Sequence, residues 1–105
     1  MRKRMKSKKG ENMSILTVFD LHTMNVDKYN QAIKGLEEAG QGNPDGRLYH
    51  VASVQKDGSI TVTDVWESAE LLDKFGKTLI PVLKKAGVEP VEPKVYPVQS
   101  YIQGK

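Results

Sequence analysis

The order of segments in this 105-residue chain predicts an α+β, ferredoxin-like domain: strand, helix, strand, strand, helix, strand, with a four-stranded antiparallel sheet carrying both helices on one face. Three observations predict it. Four short runs are rich in β-branched and aromatic residues, two longer segments repeat apolar residues at spacings of three and four, and the two middle strand-like runs are joined only by "KDGS". Right-handed crossovers then place strands two and four at the sheet edges.

Each element has its own signal. "SILTVFDL", residues 14–21, is too short for a typical helix and reads as the first strand. Asn25 offers a side-chain oxygen to the free amides of a helix start, and Val26, Tyr29, Ile33 and Leu36 follow on one face. That helix should stop at Gly40, because "GQGNPDG" is a run of turn residues. "RLYHVASVQ" and "ITVTDVW" read as strands flanking a two-residue Asp57-Gly58 hairpin. Ser68 caps a second helix with Leu71, Leu72, Phe75 and Leu79 on its apolar side, and Pro81 predicts a kink or restart near residue 80. "KVYPVQSYI" is the last strand, and Pro97 within it suits an edge.

Composition narrows the functional classes. With no cysteine, disulfides, thiolate metal sites and thiol nucleophiles are excluded. No apolar run approaches the roughly 20 residues that span a bilayer, and no secretory signal is evident, so the expected location is cytoplasmic and no membrane partner is expected. The basic balance is local: six of sixteen Lys/Arg but only one of thirteen Asp/Glu fall in residues 1–12. The remainder, residues 13–105, is read as one mildly acidic domain, which disfavours nucleic acid as a partner. Residues 1–12 are read as a disordered basic tail. "KGENM" is also compatible with a purine-rich ribosome-binding sequence ahead of a start codon, which makes residues 1–12 a candidate translated leader and Met13 a candidate start.

The two-residue hairpin sets a register in which Lys56 faces Ser59. One face of the pair then carries Tyr49, Val51, Ser53 and Gln55 against Trp66, Asp64, Val62 and Ile60. The other carries Leu48, His50, Ala52 and Val54 against Glu67, Val65, Thr63 and Thr61. Both faces are partly apolar, yet two helices cover one. At ~25 cal/mol per Å2, burying several hundred Å2 of the uncovered face contributes on the order of 10 kcal/mol before association costs, so a homodimer is expected.

"TVTDVWESAELLDKF", together with this element order, resembles the dimeric α+β barrel superfamily and, within it, antibiotic biosynthesis monooxygenase-like domains, in which a strand ends in a similar V-W-x-S step. The resemblance in topology covers roughly residues 13 to 103. It implies roles ranging from cofactor-free oxygenation of phenols and quinol oxidation to haem degradation, and also members with no assigned activity. In the haem-degrading branch a matching tryptophan works beside a histidine of the second helix and an asparagine of the first strand. Trp66 matches, but "AELLDKFGKTL" has no histidine and "SILTVFDL" no asparagine, so the resemblance stops short of haem.

The candidate site follows from chemistry. Asp64, on a central strand facing helices, loses hydration, which favours taking a proton and suits a general base; hydrogen bonding to Tyr29 or Tyr49 is its plainer role. His50 is the second candidate proton acceptor, placed by this register on the opposite face near Thr63, Glu67 and the dimer interface. Trp66, Tyr49, Tyr29 and His22 are candidate substrate contacts, with Trp66 also serving as a core residue and His22 as a surface one. No spacing resembles a metal-ligand set, a phosphate loop or a nucleophile elbow, and no cofactor is called for. The expected function is a cofactor-independent monooxygenase-like enzyme for a small aromatic or phenolic molecule. The alternative is a non-catalytic ligand-binding or stress-related protein of the same fold.

Overall fold

The computed structural model describes residues 14–105; the basic tail, the leader reading and Met13 lie outside them. The elements are β1 (Ile15–Leu21), α1 (Val26–Glu38), β2 (Arg47–Val54), β3 (Ile60–Trp66), α2 (Ala69–Lys85) and β4 (Lys94–Pro97). They form one antiparallel sheet in the order β2-β3-β1-β4, the ferredoxin-like arrangement expected, with β2 and β4 at the edges.

Both helix starts form through the expected caps. The Asn25 side chain accepts from the Lys28 amide at 2.9 Å, and the Ser68 hydroxyl accepts from the Leu71 amide at 3.2 Å. The restart expected at Pro81 does not occur. Helix α2 runs through it as one element, and Pro81 and Lys77, whose carbonyl the missing amide leaves free, are both exposed, so water can take the place of the lost bond. Strand β4 is shorter than the sequence suggested, because Pro97 donates no hydrogen bond; a single bond from the Val98 amide to the Ser14 carbonyl, at 3.0 Å, follows it.

The hairpin differs from expectation by one residue. The Gln55 amide donates to the Ser59 carbonyl at 2.8 Å, so the loop is three residues, Lys56–Asp57–Gly58. A two-residue loop of that type needs positive φ at both Asp57 and Gly58, whereas here only Gly58 takes it, at +88°. Asp57 keeps a negative φ, from which its carboxylate accepts the Ser59 amide at 2.9 Å and the Ser59 hydroxyl at 2.7 Å. A one-residue slip moves every side chain of a strand to the other face. His50 therefore pairs with Asp64, and Tyr49 with Val65, which corrects the predicted register.

On the helix-covered face the core divides into two clusters. Phe19, Leu21, Met24, Ile60, Val62, Leu83 and their neighbours form the larger, and Leu36, Trp66 and Phe75 the smaller. Asp64, beside Thr17 on β1, sits on the sheet between them. The opposite face is open and largely apolar, as expected, but β2 contributes Tyr49 and Val51 to it instead of His50, Ala52 and Val54: Leu16, Val18 and Val65 lie among Tyr49, Val51 and Tyr96, the last three 39%, 57% and 51% exposed.

Candidate functional site

The corrected register assembles a polar chain that the sequence did not reveal. Asp64 is 4% exposed on the central strand β3. His50 projects from the edge strand β2 onto the same face, and Tyr29 comes down from α1. The Asp64 Oδ1 lies 2.7 Å from His50 Nδ1, and His50 Nε2 lies 2.7 Å from the Tyr29 hydroxyl. A carboxylate can only accept, so Nδ1 carries a proton; in the neutral imidazole Nε2 is then an acceptor and the Tyr29 hydroxyl donates to it. The two rings lie nearly parallel, 8° apart, with centroids at 6.1 Å. Burial raises the Tyr29 pKa above 10.0, the Asp64 charge adds to the rise, and the positive charge of Arg47 opposes it. Tyr29 is thus held as a phenol.

This chain borders a cavity of about 50 Å3 whose remaining walls include Phe19, Ala32, Leu36 and Phe75. At roughly 10–15 Å3 per enclosed water, it holds a few waters and no aromatic ring. Its chemistry is nonetheless specific. A histidine fixed by a carboxylate at one nitrogen can take a proton at the other, and apolar walls on several sides lower the dielectric around that transfer.

The other predicted site residues lie elsewhere. Tyr49 is on the open face, edge-on to Tyr101 at 5.3 Å, and cannot wall a cavity beside Asp64. Trp66 is fully buried against Phe75 at 5.3 Å and does not line the cavity, the placement its core role requires. His22 is exposed after β1 at the hairpin end of the sheet, where it borders the same surface hollow as Asp57. His50 is neither on the open face nor beside Thr63 and Glu67.

Arg47 was missed entirely. A register shift between Arg47 and Tyr49 leaves Leu48 extra and pairs Arg47 with Trp66, which brings its side chain to the helix-covered face. Its guanidinium lies 5.9 Å from the Phe75 ring centroid and donates to the Gly42 carbonyl at 3.2 Å. Gly46 just before it, at φ +87°, lies so close to α2 that a Cβ there would fall 2.4 Å from the Leu71 Cδ1. That glycine marks a tight passage; nothing in the sequence marks the bulge. Among the described residues, no group of three or more His, Asp or Glu is gathered to hold a metal ion, and no helix is long and apolar enough to cross a membrane.

The sequence matches no family model and no curated protein. Solved structures share the fold. An antibiotic biosynthesis monooxygenase candidate from Chloroflexus aurantiacus J-10-fl aligns with a TM-score of 0.58 and 15% identity, over 87% of this chain and 99% of that one. SnoaB from Streptomyces nogalater, described as a cofactor-independent oxygenase, gives 0.56 and 11% over 88% and 97%. MupZ from Pseudomonas fluorescens gives 0.60 and 12% over 90% and 76%. The resemblance first read in "TVTDVWES" holds as a shared α+β arrangement with antibiotic biosynthesis monooxygenase structures.

Proposed function

We propose that this protein is a small cofactor-independent oxygenase of the monooxygenase-like α+β barrel type, acting as a homodimer on a small aromatic molecule with an ionisable hydroxyl. The observation that carries the proposal is the Tyr29–His50–Asp64 chain, with 2.7 Å at each link, on the wall of a cavity between sheet and helices. The fold it shares with a protein described as a cofactor-independent oxygenase supports the same reading.

The roles follow from the geometry. The substrate hydroxyl takes the position now held by the Tyr29 hydroxyl and gives its proton to His50 Nε2. Asp64 holds Nδ1 and stabilises the imidazolium that forms. The resulting phenolate is electron-rich and passes one electron to molecular oxygen. The carbon radical and superoxide join in a C–O bond, and the peroxide recovers the proton from His50. Loss of the ring proton and cleavage of the O–O bond release water and leave a quinone, so substrate and one oxygen molecule are converted to quinone and one water. Entry of the ring requires the cavity to widen, with Tyr29 drawn back on α1. The apolar open face, which the helices leave uncovered, is the proposed dimer surface.

The small cavity favours a second reading, in which the same chain is a satisfied polar network in a ligand-binding protein without turnover. Oxygen consumption across a panel of phenols and quinols separates the two. Saturable uptake with quinone appearing supports the oxygenase; saturable binding without uptake supports the second reading.

A further inference from the structure

Among the described residues, Arg47 is a cation at the cavity that no carboxylate pairs with. It lines the same space as Tyr29, His50 and Asp64, and among the described residues the ion pairs are His50–Asp64 and Lys94–Asp20. Asp64, the fixed carboxylate in the lining, is already engaged by the His50 Nδ1 proton. The guanidinium is held in place from two sides, over the Phe75 ring at 5.9 Å and on the Gly42 carbonyl at 3.2 Å. One of its five N–H groups is thereby used. Its charge also acts at the Tyr29 hydroxyl, where it opposes the effect of burial, and both side chains line the one cavity.

A half-buried guanidinium with spare donors is matched by a planar oxygen anion, which it binds through charge-assisted and often paired hydrogen bonds. We infer that Arg47 makes this cavity selective for an anionic aromatic ligand, a phenolate or ring carboxylate whose oxygen sits on the guanidinium while the ring lies against Phe75. The inference rests on the functional reading above for placing the ring beside His50. A ligand that enters as the phenol gives its proton to His50 and Arg47 holds the charge left on the oxygen, whereas one that enters already ionised is held by Arg47 directly.

The test uses 4-nitrophenol, whose phenol and phenolate absorb differently, with 4-nitroanisole as its uncharged mimic. Wild type is expected to bind the phenolate at least about tenfold more tightly than nitroanisole, and the bound dye should ionise at lower pH than the free dye. Arg47→Met should remove that preference while leaving nitroanisole binding within about twofold, and Arg47→Lys should keep part of it. Unchanged phenolate affinity in a folded Arg47→Met protein overturns the inference, as does the lack of saturable binding of either dye to wild type. Should the methionine variant fail to fold, wild type decides alone: equal affinity for the two dyes contradicts the inference. Oxygen uptake separates the two readings. Arg47-dependent phenolate binding without turnover leaves this inference standing and removes the oxygenase, whereas turnover of uncharged aromatics without Arg47 dependence does the reverse.

Discussion

His50 and Asp64 are register partners across β2 and β3, and their side chains meet at 2.7 Å on the helix-covered face. The pair exists because the hairpin loop has three residues. With two, the same histidine would point away from the helices, and Asp64 would face them without it.

Removing the carboxylate leaves the His50 Nδ1 proton without its acceptor in a largely buried setting. Asp64→Ala is expected to lower stability by about 1–3 kcal/mol, whereas Asp64→Asn, which retains an acceptor oxygen, loses less. Chemical denaturation of both variants measures the difference.

Tyr29→Phe removes the other link and is expected to cost about 0.5–1.5 kcal/mol. The raised Tyr29 pKa sets a sign as well. Its contribution is fully present below the unfolded value near 10.0 and is lost as pH rises through the folded value. Alkaline unfolding should therefore be shallower in Tyr29→Phe than in wild type, as read by circular dichroism against pH.

Asp57 titrates in the opposite sense. Hydrogen bonds from the Ser59 hydroxyl and amide lower its pKa below 3.8. Its contribution is present above the unfolded value and is lost as pH falls through the folded one. Being fully exposed, it should matter little in size, but Asp57→Ala should flatten the acid limb of the stability profile, and Ser59→Ala should do so in part.

Trp66 is a packing residue with an unusual feature, since its buried Nε1 has no hydrogen-bond partner among the described residues. Trp66→Ala is expected to cost about 3–5 kcal/mol through the cavity it leaves. Trp66→Phe should cost much less, because it keeps an aromatic ring against Phe75 and removes the unpaired N–H. Thermal melts of the two variants should differ by many degrees.

Most of the fold was legible because local signals agreed. The β-branched runs, the Asn25 and Ser68 caps, and Pro97 at an edge each specified an element without knowledge of the others. The site was legible only in part. Asp64, His50 and Tyr29 stand out by chemical type, but their meeting depends on loop length, and "KDGS" permits two loops that differ by one residue and by the sign of one φ angle. Arg47 depends on a bulge at Leu48 that has no local signature. Pro81 shows the converse, since its local signal does not divide a helix whose apolar side, through Phe75 and Leu83, is anchored on the sheet both before and after it.

The claim that His50 accepts the substrate proton is tested most directly by oxygen consumption with phenolic and quinol substrates in wild type and His50→Gln. Glutamine can still hydrogen-bond to Tyr29 but does not carry a proton near neutral pH. The account predicts a fall of about 100-fold or more, the scale of general acid–base catalysis. Equal rates in the two proteins would contradict it.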